Sequence, residues 1–104
     1  MDYTLPVLKI YKSATYEQWF RKLKDRQAQA RINARIRRIE ESGNFGDMKP
    51  AREGVSELRI DYGPGYRIYY RQRGNVLIIL LCSGDKSTQR SDIRRAHELA
   101  KREG

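Results

Sequence analysis

The strongest constraint on the fold is an uninterrupted apolar run at residues 76–82, in a chain of which 34% of the residues are charged. Successive side chains of a strand point to opposite faces of the sheet, so a half-exposed strand alternates apolar and polar residues. A strand that is apolar throughout must bury both faces. The run therefore predicts the central strand of a sheet that is covered on both sides.

Two shorter runs ahead of it show the alternation of half-buried strands. In residues 57–61 the side chain of Arg59 lies on the face opposite the apolar side chains, and in residues 66–71 the side chain of Arg67 does the same. The sequence Gly-Pro-Gly at residues 63–65 separates the two runs and is typical of a hairpin turn. We therefore expect both arginines on strands beside the central one.

The first part of the chain predicts a strand and then two helices. Residues 4–11 have a strand-like pattern, and Pro6 places that strand at a sheet edge or delays its start. Thr15 stands three residues ahead of Gln18, as in a capping box that begins a helix. The apolar stripe that follows is interrupted near Asp25, which favours two helices. One long bent helix is the alternative.

The remaining elements complete a small mixed fold. Gly43 can adopt the positive φ that ends a helix, and residues 44–54 have the composition of a loop. A last helix is expected from Thr88, a favourable N-cap residue. The order strand, two helices, three strands and helix predicts a single α+β domain over residues 1–104.

The charge balance of the chain favours a polyanionic partner. Lysine and arginine number 22 against 13 acidic residues, which gives a formal net charge of +9. Such a surface attracts nucleic acid or an acidic protein, and a merely soluble basic surface is the alternative. Arginines on the second predicted helix are either solvated or in contact with such a partner. They are Arg31, Arg35, Arg37 and Arg38.

Several classes of site are not indicated by the sequence. Cysteine and histidine residues have no metal-binding spacing, and there is no glycine-rich nucleotide loop, so we expect no metal and no cofactor. His97, the only histidine, is expected to be structural or exposed. Cys82 has no second cysteine to pair with and is expected in the core. The start of the chain lacks a signal-peptide pattern and no run reaches the roughly 20 apolar residues of a membrane span. We therefore expect a cytoplasmic protein without a membrane partner.

Cations gathered on one face of a sheet are suited to metal-free RNA cleavage. In that reaction the ribose 2′-OH attacks the adjacent phosphate and the 5′ oxygen leaves. Charge builds on the phosphate oxygens, so cations placed around them stabilise the transition state more than the ground state. A proton acceptor and a proton donor complete the chemistry. Lys86 adds a cation just ahead of a predicted helix N-terminus, where free backbone N–H groups also favour an anion.

Five segments of the chain carry a resemblance to a known family. They are GPGYRIYY (63–70), GDKSTQ (84–89), ELR (57–59), GNFGD (43–47) and ARINARI (30–36). Through them nearly the whole chain resembles the HigB-type "addiction module killer" branch of the RelE/ParE toxin superfamily. The resemblance implies a RelE-like fold and the toxin of a type II toxin–antitoxin system. RelE-like and HigB-like members enter the ribosomal A site and cleave mRNA.

The resemblance also assigns roles to residues. By motif position, Arg59, Arg67 and Lys86 are implied as phosphate binders that stabilise the transition state. Glu57 lies where RelE carries a basic residue, and it is either a general base or a partner of Arg59. Asp92 lies where RelE has a catalytic tyrosine. Either Asp92, Glu57 or Asp85 substitutes for that tyrosine, or ribosomal RNA supplies more of the chemistry, or cleavage is weak; Asp92 is otherwise an ordinary first-turn carboxylate. This chain also lacks the histidines that HigB-like members use. Further expected RNA contacts are Lys49, Arg52, Arg71, Arg73, Thr88 and Gln89.

The implied partners are a cognate antitoxin, the ribosome and mRNA. The antitoxin is expected to be a small protein of the helix-turn-helix type, with an acidic segment that covers the basic face. Operator DNA is expected to bind only through the toxin–antitoxin complex. Two alternatives remain: a ParE-like poison of DNA gyrase, which shares the fold, and a non-catalytic module that binds only the antitoxin. The cationic trio favours the nuclease, because a gyrase binder does not need a phosphate clamp.

Overall fold

The computed structural model describes residues 7–74 and 77–102. Within them the chain forms five strands, three α-helices and a short 3-10 turn. In order these are β1 (Lys9–Lys12), α1 (Ala14–Lys22), α2 (Arg26–Ser42), β2 (Met48–Pro50), β3 (Val55–Ile60), β4 (Tyr66–Arg73), β5 (Leu77–Asp85), the 3-10 turn (Lys86–Thr88) and α3 (Gln89–Arg102).

The strands form one mixed sheet in the order β1-β5-β4-β3-β2. Strand β1 runs parallel to β5, and the other neighbours are antiparallel. The α+β class and the mainly antiparallel sheet are confirmed. The middle strand, however, is β4 and not the apolar run, so the prediction of a central position for that run was wrong. Arg67 lies on the strand next to β5, whereas Arg59 lies one strand further away.

The apolar run is nevertheless explained by its burial. Strand β5 is paired on both edges and covered on both faces. Ile78 and Leu80 pack into a core with residues of α1 and α2, while Ile79 and Leu81 pack into a second core with residues of α3. The sheet is therefore the middle layer between α1 and α2 on one side and α3 on the other.

The predicted loop at residues 44–54 contains a strand that the sequence did not reveal. Strand β2 pairs with β3 at the edge of the sheet, so the predicted element order lacked one strand. The strand has only three residues and ends in Pro50, a residue that sheets tolerate at an edge. The edge position predicted for the first strand is confirmed by β1, while Pro6 and the residues before it lie outside the described residues.

The N-cap residues predicted for α1 and for the last helix were wrong. The N-cap of α1 is Ser13, not Thr15, because the Ser13 hydroxyl accepts a bond from Tyr16 N (3.0 Å) and donates to the Leu81 carbonyl on β5 (2.7 Å). The predicted break between α1 and α2 is confirmed: Asp25 accepts bonds from the first backbone N–H groups of α2.

A glycine ends α2, and an aspartate caps the start of the last helical segment. Gly43 ends α2 with a φ of 71°, as predicted. The helical run at the end of the chain is capped by Asp85, so the N-cap is not Thr88, which belongs to the 3-10 turn. Helix α3 then begins one residue later. None of the helices in residues 7–74 and 77–102 has the length and apolar character needed to cross a bilayer.

Candidate functional site

The site begins with two arginines that face each other across neighbouring strands. Arg59 on β3 and Arg67 on β4 are register partners. Their side chains lie on the face of the sheet that α3 covers, where α3 packs mainly on β5 and β4. Directly opposed like charges destabilise a strand pair by a few tenths of a kcal/mol up to about 1 kcal/mol. The fold therefore holds two cations together at a position where local pairing alone disfavours them.

A cleft of about 290 Å³ opens over this pair, and it brings together the three predicted phosphate binders. Arg59, Arg67 and Lys86 approach from β3, β4 and the 3-10 turn. The cleft also contains two carboxylates and the hairpin turn between β3 and β4. Its full lining is Asp47, Arg59, Asp61, Gly63, Pro64, Gly65, Arg67 and Lys86.

The Gly-Pro-Gly turn forms one wall of the cleft. Gly65 has a φ of 81°, and a Cβ there would lie 3.6 Å from both Arg67 Nη1 and Lys86 Cβ. Glycine is needed because this backbone conformation strains other residues. The turn is anchored on α2: the Tyr62 hydroxyl donates to Asp25 (3.1 Å), and the Arg31 guanidinium lies 4.6 Å from the Tyr62 ring centre. The wall is thus held by contacts outside the cleft.

Arg59 is oriented by Asp47, which precedes β2. Its Nη2 and Nε donate to Asp47 Oδ1 at 2.9 and 3.1 Å. This hydrogen bond, with the charge of Asp47, raises the pKa of Arg59. Both side chains remain partly exposed, at 38% and 52%. Solvent and an incoming anion can therefore reach Arg59 while it is held in place.

Arg67 is more enclosed and lies against a buried carboxylate. Its side chain is 13% exposed, and its Nε lies 3.8 Å from Glu57 Oε1. Glu57 is only 2% exposed, and both of its oxygens accept from Gln89 Nε2, at 3.0 and 2.8 Å. Of the two roles that the sequence leaves open for Glu57, a partnership with Arg59 is not favoured, because Arg59 bonds to Asp47 and Glu57 lies against Arg67. Burial also makes Glu57 a poor candidate for contact with a substrate hydroxyl.

Lys86 extends from an exposed turn that Asp85 fixes. The Asp85 carboxylate accepts from the Ser87 hydroxyl and from Ser87 N (2.8 Å), and these bonds, the hydroxyl first, lower the pKa of Asp85. The charged Asp85 carboxylate therefore fixes the turn, while Lys86 remains exposed to solvent.

Asp92 lies outside the cleft. The Thr88 hydroxyl donates to its carboxylate, which packs so closely on Gly84 that a Cβ there would overlap it. Of the two readings left open by the sequence, this placement favours the ordinary first-turn carboxylate. Thr88, a predicted RNA contact, is exposed, and its hydroxyl is bonded to Asp92.

The other predicted RNA contacts lie in three places. Lys49, Arg52 and Gln89 line a second cleft of about 620 Å³, which Glu57 also borders. Arg71 instead donates to the Ala100 carbonyl near the end of α3 (2.9 Å). Arg73 is exposed at the end of β4, away from both clefts.

Arg35 is a supporting residue that sequence reasoning assigned to a solvated or RNA-binding helix face. Its guanidinium donates to the carbonyls of Arg59 (2.8 Å), Phe45 (2.8 Å) and Asp47 (2.9 Å). It thereby ties α2 to both residues of the Arg59–Asp47 pair. No local pattern distinguishes it from the exposed Arg37, because its partners are distant in sequence.

The single histidine and the single cysteine have structural positions, as predicted. His97 Nε2 lies 2.7 Å from the Ala51 carbonyl and braces the turn between β2 and β3. Cys82 is buried, and desolvation raises the pKa of its thiol to about 12, so it is no nucleophile at neutral pH. Among the described residues, no group of three or more acidic, cysteine or histidine side chains is placed to hold a metal ion.

Comparison with known proteins identifies the family. Residues 18–103 match the family described as phage derived protein Gp49-like (DUF891). The chain belongs to this family. An uncharacterized protein of Haemophilus influenzae is 50% identical over 97 residues, which cover 93% of this chain and 97% of that relative.

Solved structures confirm the RelE fold. An arginine-to-alanine variant of the E. coli toxin RelE in the free state aligns with a TM-score of 0.69 and 17% identity, covering 92% of this chain and 97% of that one. The toxin–antitoxin complex RelBE2 of Mycobacterium tuberculosis aligns with a TM-score of 0.50 and 18% identity, covering 84% and 99%. The RelE-like fold that the resemblance implied is confirmed, while the HigB branch stays a prediction.

Proposed function

We propose that this protein is the toxin of a type II toxin–antitoxin system and that it cleaves mRNA on the ribosome. The observation that carries the proposal is the convergence of Arg59, Arg67 and Lys86 on one open cleft. Three cations around one small site match a phosphodiester, whose transition state spreads negative charge over the phosphate oxygens. The RelE fold and its neighbour in a toxin–antitoxin complex support the same class of protein.

In the proposed reaction the scissile phosphate occupies the cleft. Arg67 is the central donor, since it is largely enclosed, its Nη1 donates to the Tyr66 carbonyl (3.2 Å), and its Nε lies 3.8 Å from the Glu57 carboxylate. Arg59 and Lys86 approach the phosphate from either side. The attacking 2′-OH forms a bond to phosphorus and the bond to the 5′ oxygen breaks, so cations fixed in advance lower the barrier without reorganising.

Glu57 acts in this scheme by orienting Arg67 and not as a general base. It is buried, and both of its oxygens already accept hydrogen bonds from Gln89. Asp92 acts at a distance by holding Thr88 against β5. Neither Glu57 nor Asp92 lines the cleft, and the Asp47 carboxylate, which does line it, is bonded to Arg59. We therefore propose that ribosomal RNA contributes to proton transfer. This also accounts for a requirement for the ribosome.

The proposed inhibitor is a cognate antitoxin encoded as a small helix-turn-helix protein. An acidic segment of it would compete for the cations that bind RNA. Operator DNA would be bound by the complex through the antitoxin. These partners place the protein in the cytoplasm, where the ribosome and mRNA are found.

The experiment is cleavage of a defined mRNA in a purified translation system, with and without ribosomes. We expect cuts only when ribosomes are present, and far slower cutting with Arg67→Ala. Cleavage of free mRNA at the same rate would remove the ribosome from the proposal. Intact mRNA together with inhibited DNA supercoiling in a gyrase assay would instead identify a ParE-like poison.

A further inference from the structure

A second cleft, larger than the first, lies beside it on the same face of the sheet. It has a volume of about 620 Å³ and is enclosed by β2, the turn after β2, β3 and α3. Three cations line it: Lys49, Arg52 and Arg90. The role proposed for Arg59, Arg67 and Lys86 does not require these cations.

The two clefts meet at the Glu57–Arg67 pair. Arg67 lines the first cleft and Glu57 the second, and their side chains approach to 3.8 Å. Along β3, Arg59 and Glu57 are two residues apart on one face, a distance of about 7 Å. This is comparable to the step between successive phosphates of an extended RNA strand. Because Glu57 borders the second cleft, a strand with one phosphate in the first cleft reaches that border with its next nucleotide.

The lining of the second cleft matches the two chemical parts of a nucleotide. Pro50, Ala51 and Ile93 provide apolar surface on which a base can pack, and the exposed Arg52 and Arg90 provide donors for a phosphate. Arginine suits this role because its planar fork binds phosphate oxygens in pairs.

The turn that carries Arg52 is braced in an uncommon conformation. Arg52 and Glu53 have φ values of 70° and 51°, in the left-handed region. His97 Nε2 on α3 lies 2.7 Å from the Ala51 carbonyl and 3.2 Å from the Arg52 carbonyl, and Nδ1 lies 3.6 Å from Glu53. The turn is thereby tied to the helix that forms the opposite wall of the cleft.

From this arrangement we infer that the second cleft is an RNA subsite that binds the nucleotide adjacent to the scissile phosphate. The base packs on the apolar wall, and Arg52 and Arg90 bind its phosphate. The buried Glu57 and its half-buried partner Gln89 form the floor between the two subsites. This inference rests on the proposed RNA-cleaving function and assigns a part of the substrate to a site outside the cationic trio.

The test is binding of a fluorescent 2′-O-methyl RNA hexamer, which cannot be cleaved, measured by anisotropy over a range of salt concentrations. Arg52→Ala/Arg90→Ala is compared with Arg21→Ala/Lys22→Ala, a pair of exposed residues on α1 at the other face of the sheet. Both double variants lose two positive charges. We expect the first to bind about tenfold more weakly at low salt, because a charge-assisted contact contributes roughly 1.5 kcal/mol or more.

The salt dependence separates a lost phosphate contact from a lost general charge. For a single strand the slope of log K against log salt changes by about 0.7 per phosphate. We expect this reduction in Arg52→Ala/Arg90→Ala, and a slope and affinity near wild type in the α1 variant. Equal effects of the two double variants would overturn the subsite and leave the proposed function standing.

Three further outcomes decide between alternatives. If the wild-type protein does not bind the hexamer while Arg67→Ala abolishes ribosomal cleavage, the subsite is overturned and the nuclease is retained. If adenosine monophosphate alone displaces the hexamer at equal concentration, the cleft takes a free nucleotide and the strand model is wrong. If Arg52→Ala/Arg90→Ala weakens antitoxin binding but not RNA binding, the cleft belongs to the protein partner.

Discussion

Replacing Arg35 by alanine tests whether a helix side chain holds the site together from outside. The guanidinium of Arg35 on α2 bonds three carbonyls, those of Arg59, Phe45 and Asp47. The variant removes all three bonds and releases the segment that carries Asp47. We expect a clear loss of stability together with a loosened cleft.

The magnitude follows from the exposure of each bond. The bonds to Arg59 and Phe45 are partly buried, whereas the bond to Asp47 is exposed and water replaces it. A hydrogen bond from a charged donor contributes about 1.5 kcal/mol at the lower end of the measured range. Two such bonds give a loss of about 3 kcal/mol in the free energy of unfolding. For a domain of this size that lowers Tm by at least about 12 °C.

The assay is urea unfolding followed by the fluorescence of Trp19, the single tryptophan, and by circular dichroism. Arg37→Ala is the matched control, because it removes the same charge from an exposed position on the same helix. We expect the control to lie within about 0.5 kcal/mol of wild type. If Arg35→Ala unfolds at the same urea concentration as Arg37→Ala, the three carbonyl bonds do not support the site.

Three further predictions concern the surroundings of the site. Because the pKa of the Cys82 thiol is raised in the folded protein, its contribution to stability is complete below the unfolded pKa of about 8.5 and is lost as pH rises toward 12. In urea unfolding, Cys82→Ala should therefore gain about 2 kcal/mol in the free energy of unfolding relative to wild type between pH 7 and pH 10. An equal pH dependence of the two proteins would contradict this. Asp47→Asn removes the negative charge beside Arg59, and we expect RNA affinity to rise a few fold while the midpoint of urea unfolding stays near that of wild type, since the pair is exposed; weaker RNA binding would show that Asp47 positions Arg59 more than it competes. Gly84→Ala places a methyl group against Asp92, which should cost about 1–3 kcal/mol in thermal unfolding, and an unchanged Tm would show that α3 shifts freely.

The sequence predicted the parts of the site that depend on local pattern. Period-two alternation placed Arg59 and Arg67 on one face of the sheet, and the glycine-rich turn between them marked the hairpin. The register that sets the two side chains opposite each other depends on turn geometry and on pairing with β5, where the ladder shifts at Tyr69 and Tyr70. Alternation alone does not contain that information.

The parts that were missed depend on contacts between distant segments. Strand β2 has three residues and a proline, so it shows no alternation, and it exists because β3 offers an unpaired edge. The sequence did not reveal that Glu57 lies against Arg67, because sequence spacing does not show which way two neighbouring guanidinium groups turn. Arg35 is bonded to carbonyls up to 24 positions away in the chain, which no helical pattern reveals.

The central claim is that Arg67 stabilises the phosphate of the transition state, and single-turnover cleavage on mRNA-programmed ribosomes tests it most directly. We predict that Arg67→Ala lowers the cleavage rate by about 10²–10³, as removal of a fixed transition-state donor does, while affinity for the ribosome stays within a few fold of wild type. Arg21→Ala, on the far side of the sheet, should cleave at the wild-type rate. Cleavage by Arg67→Ala at the wild-type rate, with the protein folded and bound to the ribosome, would contradict the claim.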